Sequence, residues 1–434
     1  RKTHLLVSYC ARENMILLVI SPDFISHYNP LAVVARAAKL AGHQVVFATG
    51  TNMAPRVKEE GFEWTLLQLS QGANSGIVDQ DAAITRFLSA TREGPMSTIL
   101  CQALDREKDL LWEPLQVARN IAQLCEQIRP DEILVDHISF GSTLGVYATG
   151  RSFTTLVPGH PSQLPVGTER YGIPSVWPGC MQPDAEVLTA QEHITDRVTK
   201  TFTQRWNAAL AVIAPSMKPV ADAFRVHGKQ VLYNSSKQYH ATARCSHLPA
   251  RHQFIGPLIR HEALTQPYRQ WLDQVDARPL IYVALGTFLS HRTDVLRLLS
   301  TALQRAGARV AMAIGASPIA EFEPLPKGWL LEPSLPQVGL LGACDLIIHH
   351  GGNNSVQEAL ALGVRQIILP FSTDQFANAA DLERTGQATV ISPNHISPST
   401  FAEVIKTTLA LPKPKPVMPL SPELLASALA TLEP

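Results

Sequence analysis

An apolar strand that leads into a histidine and two glycines is the feature that most constrains the fold of this sequence. Leu346-Ile347-Ile348 is an uninterrupted apolar run, typical of a strand buried in a parallel sheet. After His349-His350-Gly351-Gly352, either Asn353 or Asn354 can cap a helix that Gly363 ends. Ligands of open α/β sheets bind at the carboxyl ends of strands, and free N–H groups at a helix start suit a diphosphate. The sequence therefore predicts an anion site here.

Together with the segment that follows, this motif resembles the donor-binding signature of the family 1 nucleotide-sugar-dependent glycosyltransferases, in particular the bacterial natural-product glycosyltransferases. Its members have an α/β fold of the GT-B type, with two facing Rossmann-like domains and a C-terminal crossover helix. Unlike residue types at fixed spacing make the match specific, where a bare Gly-Gly pair would be weak. The residues that carry it are His350, Gly352, Asn354, Ser355, Glu358, Pro370, Asp374, Gln375 and Asn378.

The length of 434 residues is sufficient for two domains, each with its own core. With the resemblance, the predicted division is a candidate leader at 1–14, an N-terminal acceptor-binding domain at 15–232, an inter-domain linker region at 233–278, a C-terminal nucleotide-sugar-binding domain at 279–411, and a connector with the crossover helix at 412–434. Within the first domain, Asn29 is predicted to cap a helix with Pro30 at its first position. Val212-Ile213-Ala214, before Pro215, is interpreted as its last strand.

Two residues of the first domain are candidate catalytic groups. His27 lies in the first predicted loop, and an imidazole can be neutral and basic near neutral pH. The resemblance implies that His27 is the general base that deprotonates an acceptor hydroxyl. Asp136 ends the predicted strand 131–136, and the resemblance implies that it hydrogen-bonds the histidine and fixes its tautomer. The alternatives are an exposed loop histidine and an aspartate that caps the next helix.

The resemblance also implies a set of donor-binding residues in the second domain. Gly286 and Thr287 follow the apolar strand 280–285, where a small residue can approach a phosphate closely. Ser334 stands where many members have a tryptophan that stacks on the base, so uracil and thymine both stay open. The full set is Gly286, Thr287, Pro336, Gln337, Val338, His350, Gly351, Gly352, Asn353, Asn354, Ser355, Glu358, Asp374 and Gln375. Each also has a structural interpretation, as a helix cap, a buried histidine or a solvated helix residue.

The stretch 156–184 is predicted to be a long loop, because prolines and glycines interrupt it throughout. A long ordered loop inside a compact domain is usually functional. The resemblance implies that N-domain loops line the acceptor pocket, with His160, Tyr171 and Trp177 as candidates. These side chains could equally hold the loop to its own domain.

Composition excludes several other classes. Lys plus Arg and Asp plus Glu are both 37, so nucleic acid is an unfavoured partner. No apolar run reaches the length of a membrane span, and the expected location is the cytoplasm. Six scattered cysteines without a C-x-x-C pair favour free thiols over disulfides or zinc. Without HExxH or a carboxylate cluster, no metal and no cofactor other than the co-substrate is expected.

The function predicted from these observations is inverting transfer of a sugar from a UDP- or dTDP-sugar to a hydroxyl, or another nucleophile, of a small apolar acceptor such as a secondary metabolite. The partners are therefore two small molecules, and a homodimer stays open. One alternative is a non-catalytic protein of the same fold that binds a sugar nucleotide or activates a partner. Another is a nucleotide-sugar epimerase.

Overall fold

Two parallel sheets, each covered by helices, organise the chain. In the computed structural model, residues 14–70, 80–109 and 111–430 are described. The predicted leader lies outside the described residues, apart from Asn14. The two-domain α/β prediction is confirmed, because each sheet has its own apolar cores.

The first sheet has the strand order β3-β2-β1-β4-β5-β6-β7, with every pairing parallel. Its strands are β1 (Ile16–Ile20), β2 (Gln44–Thr49), β3 (Glu63–Leu66), β4 (Glu132–Asp136), β5 (Thr154–Val157), β6 (Gln230–Tyr233) and β7 (His252–Phe254). The helices that accompany it are α1 (Ile25–Leu40), α2 (Ala54–Glu59), α3 (Gln80–Glu93), α4 (Pro95–Asp109), α5 (Pro114–Ile128), α6 (Phe140–Ala148), α7 (Ala185–Ile213) and α8 (Thr242–Ser246).

The second sheet has the order β10-β9-β8-β11-β12-β13 and is likewise parallel. Its strands are β8 (Leu280–Ala284), β9 (Arg309–Ala313), β10 (Leu330–Glu332), β11 (Leu346–His349), β12 (Arg365–Ile368) and β13 (Ala388–Val390). Its helices are α9 (Gln266–Leu272), α10 (Gly286–Leu289), α11 (Thr293–Arg305), α12 (Gln337–Leu341), α13 (Asn353–Leu362), α14 (Thr373–Arg384) and α15 (Pro398–Ala410); the final helix is α16 (Pro422–Ala430).

The strand order of both sheets reverses at one place, and that place fixes the two candidate sites. In the first sheet, β1 and β4 are neighbours, with Ile20 opposite Val135. In the second, β8 and β11 are neighbours, with Ala284 opposite His349. Loops that leave such a pair run in opposite directions and open a crevice at the carboxyl edge of the sheet. At the first of these places lie His27, in the first turn of α1 and not in a loop as predicted, and Asp136, the last residue of β4. The predicted phosphate residues follow β8 and β11 at the second.

The last helix confirms the predicted crossover. Leu425 and Leu429 of α16 are buried in the core of the first domain, together with Leu31 of α1. Gln230 of β6 also donates a hydrogen bond to the carbonyl of Ala428 at 2.8 Å. Residues near the end of the described chain therefore complete the domain that residues near its beginning form.

Several local predictions are wrong. Helix α1 begins at Ile25, so Asn29 is not its cap and Pro30 lies inside it. Val212 and Ile213 end the long helix α7 and form no strand. The apolar run at 212–214 misleads because it lies at the end of that helix, where Val212 is 62% exposed and lies outside the buried stripe that contains Trp206 and Leu210.

The first sheet extends into the range predicted as a linker, since β7 at 252–254 pairs with β6. The domain boundaries themselves stay predictions. Cysteines 101, 125, 180, 245 and 344 are free, as expected, and Cys10 lies outside the described residues. None of the helices in the described part of the chain is both long and apolar enough to cross a membrane.

Candidate functional site

His27 and Asp136 are brought together at the switch point of the first sheet. Nδ1 of His27 lies 2.7 Å from Oδ2 of Asp136, which is fully buried at the end of β4. A carboxylate can only accept, so Nδ1 carries the proton and Nε2 keeps its lone pair. The other carboxylate oxygen accepts from the N–H of Ile138 at 3.0 Å, which fixes the orientation of the group. Asp136 therefore makes the predicted contact with the histidine, whereas the cap position of the next helix is Ser139.

The position of Pro30 inside α1 leads to a contact between the domains. A proline has no N–H, so the carbonyl four residues earlier receives no helical hydrogen bond. That carbonyl belongs to Ser26, and it accepts a hydrogen bond of 2.8 Å from the amide of Asn354. Asn354 lies at the start of α13, in the predicted donor motif. The donor motif thus contacts the residue next to His27.

His350 lies between two glycines at the switch point of the second sheet. A Cβ on Gly286 would come within 2.9 Å of the imidazole, and a Cβ on Gly352 would overlap its Nε2. Gly286 also has a φ of +77°, which favours glycine. Nδ1 of His350 is buried without a hydrogen-bond partner among the described residues. Burial lowers the pKa of His350 to about 4, so the ring is neutral at pH 7.

The start of α13 has the geometry expected of an anion site, although its asparagines are partly engaged elsewhere. The N-cap of α13 is Gly352, in an extended conformation, so the predicted cap at Asn353 or Asn354 is wrong; Gly363 ends the helix in the left-handed region, as predicted. Asn353 is buried and donates to the carbonyls of Pro158 and Asn234 in the first domain, at 2.6 and 2.8 Å. The side-chain amides of Asn353 and Asn354 therefore hold the two domains together in this structure.

Glu358 is buried on α13 and lies at the centre of a polar cluster. Its carboxylate accepts a hydrogen bond of 2.6 Å from Gln337, which also donates to Ser355 at 3.0 Å. Arg260 lies 3.7 Å from its other oxygen. Burial raises the pKa of Glu358, and Arg260 opposes that effect. The predicted residues Gln337, Ser355 and Glu358 are therefore in direct contact.

Two residues of this cluster were not predicted from the sequence. Arg260 and Glu262 both lie in the segment that joins the two sheets, and Glu262 accepts from the N–H of Val338 at 2.9 Å. Gly339 has no Cβ, which leaves room for Leu264 beside it. The joining segment therefore covers α12, where the resemblance places the nucleobase. Nothing in the spacing of Arg260 or Glu262 indicates this position.

Helix α14 presents a polar face to the cleft between the domains. Asp374, Asn378 and Asp381 follow one another at helical spacing, and Asp374 lines the cleft. The amide oxygen of Gln375 caps the helix by accepting from the N–H of Phe371 and Ser372. Asn378 donates to the carbonyl of Gly351 at 3.0 Å, which connects α14 to the motif after β11.

The three acceptor candidates fall into two groups. Tyr171 lines the cleft that also contains Asp374. His160 is buried and hydrogen-bonded, and Trp177 stacks on Phe376 of α14 with a centroid distance of 5.3 Å. His160 and Trp177 therefore join the loop to the second domain, an arrangement that the sequence did not indicate.

His160, His240 and Asp381 form a buried hydrogen-bonded cluster across the two domains. The N–H of Ser162 donates to Nδ1 of His160, so the proton of His160 is on Nε2, which lies 3.0 Å from Asp381. Nδ1 of His240 lies 2.8 Å from the same carboxylate oxygen. The three ligand-type atoms lie within 4.8 Å of one another, a spacing that could hold a metal ion. Here the two N–H groups already satisfy the carboxylate, and Arg384 donates to its other oxygen at 2.8 Å.

Buried neutral histidines predict a loss of stability in mild acid. Burial lowers the pKa of His137 and His240 to about 4 and that of His349 to about 3, below the unfolded value of about 6.5. The unfolded chain therefore binds more protons between pH 6.5 and 4, so unfolding becomes more favourable as the pH falls through this range. Each such histidine contributes about 1.4 kcal/mol per pH unit. The raised pKa values of Glu358 and Asp374 offset part of this.

We expect the melting temperature, measured by calorimetry, to fall between pH 7 and pH 5. The ring Nε2 of His137 donates to the carbonyl of Gln163 at 2.7 Å, and His137→Gln removes this titrating group, so the fall should be shallower in that variant. A melting temperature that is the same at both pH values would contradict this account.

Comparisons with known proteins agree with the fold. Residues 297–419 match the family described as erythromycin biosynthesis protein CIII-like, C-terminal domain. Demethyllactenocin mycarosyltransferase of Streptomyces fradiae is 23% identical over 386 residues, which are 88% of this chain and 77% of that relative. An NDP-glycosyltransferase of Bacillus subtilis is 21% identical over 381 residues, covering 88% of this chain and 85% of that relative.

Solved structures extend the likeness over nearly the whole chain. The glycotransferase of kitacinnamycin superposes with a TM-score of 0.67 at 19% identity and covers 97% of this chain and 94% of that chain. The glycosyltransferase VinC in complex with dTDP gives a TM-score of 0.62 at 18% identity, over 96% of this chain and 94% of that chain. These matches confirm the GT-B fold.

Proposed function

Because this chain is a glycosyltransferase of the natural-product type with the GT-B fold, we propose that it transfers a sugar, with inversion, from a UDP- or dTDP-sugar to a hydroxyl of a small, largely apolar acceptor. The observation that carries the proposal is the 2.7 Å contact between His27 and buried Asp136, beside the residue that Asn354 of the donor motif contacts. A base held next to a donor site is what transfer to a hydroxyl requires.

The first domain supplies the base. The acceptor hydroxyl gives its proton to Nε2 of His27 while its oxygen forms a bond to the anomeric carbon of the sugar. Asp136 holds the ring in the tautomer with the free Nε2 and stabilises the imidazolium that forms. The bond from that carbon to the diphosphate oxygen breaks at the same time on the opposite face, and His27 afterwards loses its proton to water.

The second domain receives the leaving group. The diphosphate takes the electron pair of the broken bond, and its developing charge faces His350 and the N–H groups at the start of α13. His350 is neutral, so it donates a hydrogen bond without a charge of its own. Glu358 and Gln337 bind the ribose hydroxyls, whereas Asp374 and Gln375 bind those of the sugar. The hydrogen-bond donors that face the diphosphate are already oriented, so they stabilise the transition state more than the ground state. The scheme requires no metal.

The donor is proposed to be a nucleoside diphosphate sugar with uracil or thymine as base. VinC was solved with dTDP, and spinosyn rhamnosyltransferase SpnG was solved with thymidine diphosphate. Demethyllactenocin mycarosyltransferase is named for transfer to a natural product, which supports an acceptor of that class. We further propose that the protein acts in the cytoplasm.

An assay with UDP- and dTDP-sugars, a panel of hydroxylated aglycones and added EDTA tests the proposal. The expected result is a glycoside of inverted anomeric configuration by NMR, at a rate that EDTA leaves unchanged. Binding of a nucleotide sugar without turnover on any aglycone would instead favour a non-catalytic binding protein. Conversion of the donor into its own isomer would favour an epimerase.

A further inference from the structure

A partly buried arginine, which forms no ion pair with the residues that the structure describes, lies in the cleft between the domains. Arg106 of α4 lines a solvent-open cleft together with residues of the loop after β5 and of α14, namely Ser162, Gln163, Tyr171, Ile173 and Asp374. Its guanidinium carbon lies 5.0 Å from the centre of the Tyr171 ring. The neighbouring Asp105 pairs with Arg86 instead. Among the residues that the structure describes, none accepts a hydrogen bond from Arg106.

The surroundings hold the guanidinium in place. Tyr171 is stacked on Phe224 with a centroid distance of 4.4 Å and an interplanar angle of 13°. Gly172, with a φ of +88°, has no Cβ, and a Cβ there would overlap the Nη1 atom of Arg106. Burial lowers the pKa of Arg106, and Tyr171 and Asp105 oppose that effect only in part. A positive charge that has lost part of its water would be stabilised by a bound anion.

The cleft adjoins the predicted catalytic pair. Burial raises the pKa of Asp374, and the nearby imidazoles of His160 and His27 oppose that effect. Burial also raises the pKa of Tyr171, where Arg106 acts in the opposite direction and Asp374 and Asp136 add to it. Arg106, Tyr171 and Asp374 therefore lie within electrostatic range of the base and its aspartate.

We propose that the acceptor is a hydroxy acid with an apolar body, and that Arg106 binds its carboxylate while the hydroxyl lies at His27. This inference rests on the proposed function. A guanidinium presents two parallel N–H groups that match the two oxygens of a carboxylate. The Tyr171 ring fixes the plane of the guanidinium. Ile173 and Pro174 provide an apolar wall of the same cleft. Arg106 is thus a specificity-determining residue for the acceptor.

The test compares acids with their own methyl esters. Three pairs are suitable: a phenolic acid, a hydroxylated fatty acid and a hydroxylated steroid acid, each assayed with its ester. Transfer is measured as kcat/KM, and binding is measured by calorimetry with UDP present. We expect at least one acid to be preferred over its ester by tenfold or more in the wild type. Arg106→Gln should remove that preference by raising KM for the acid while leaving the ester unchanged.

Two further variants separate binding from folding. Arg106→Lys keeps the charge and should retain part of the preference, and Arg36→Gln, which removes an exposed arginine, should retain all of it. The melting temperature and the affinity for UDP show whether each variant is folded. An Arg106→Gln protein that is folded, binds UDP and still prefers the acid would overturn the proposal.

The remaining outcomes distinguish this inference from the proposed function. If esters or neutral aglycones were glycosylated as efficiently as acids, the proposal of an anionic acceptor would be overturned, whereas the proposed glycosyl transfer would stand. Acids that bind through Arg106 but are never glycosylated would keep the inference as a binding site and refute the transferase reaction. The inference would also be overturned if every acid were bound and glycosylated no better than its ester. If Arg106→Gln lost only the ability to use UDP-glucuronate as donor, Arg106 would bind the carboxylate of the donor sugar. That result would overturn the assignment of the carboxylate to the acceptor.

Discussion

Replacing His27 with alanine is expected to lower kcat for glycosyl transfer by about 10³-fold, because the acceptor hydroxyl then has no base within reach. The donor site lies in the other domain, so the affinity for UDP should change little. His193→Ala, which removes an exposed histidine on α7, is the matched control. Steady-state kinetics with saturating donor and calorimetric UDP binding together measure the effect.

Asp136→Asn tests the hydrogen bond between His27 and Asp136 from the side of the carboxylate. The amide can no longer act as the carboxylate acceptor that holds the proton on Nδ1, so we expect a loss of about 10²-fold or more in kcat with the fold retained. A His27→Ala protein that is folded and keeps more than about a tenth of the wild-type kcat would remove this histidine from the mechanism.

Gly352→Ala is expected to weaken binding of UDP or dTDP by about 10²-fold. The added methyl group would occupy the position of His350 Nε2, and Gly286, whose Cβ would lie 2.9 Å from the ring, leaves the imidazole little room on the other side. A displacement of about 1 Å is enough for an effect of this size when a hydrogen-bond donor must be aimed at a phosphate. Isothermal calorimetry with UDP and dTDP measures it directly.

The matched control for this prediction is Gly342→Ala. Gly342 follows α12 with ordinary dihedral angles, and an added Cβ would meet nothing within 4 Å. Affinities that are equal in the two variants would show that the diphosphate does not depend on the position of His350. Melting temperatures of both proteins distinguish a loss of binding from a loss of folding.

Much of the second domain could be predicted from sequence because its signals are local. The apolar strand, the glycines and the capping position after it lie within one continuous segment, and the helix from 353 to 362 follows as expected. The resemblance placed both Glu358 and Gln337 in the donor site, but the contact between them was not predicted. The cores of both sheets follow from the same apolar runs.

The predictions failed where tertiary contacts determine the local structure or the role of a residue. Pro30 was placed at a helix start by its usual preference, but a partner for the carbonyl of Ser26 allows it inside α1. The role of His160 at the domain interface depends on Asp381, a residue more than two hundred positions away in the chain. Arg106 illustrates the same limit, because its relation to Tyr171 and Gly172 comes from how α4 packs and from no spacing within the sequence.

The packing of α16 against α1 has a consequence for the making of the protein. A chain leaves the ribosome from its N-terminus, so the apolar groove of the first domain that receives Leu425 and Leu429 remains bare while the entire second domain is synthesised. During that interval the groove is open to any other apolar segment, including the same groove on a neighbouring nascent chain. A chaperone, or slow release from the ribosome, would therefore have its greatest influence on yield in the period before residues 422–430 emerge.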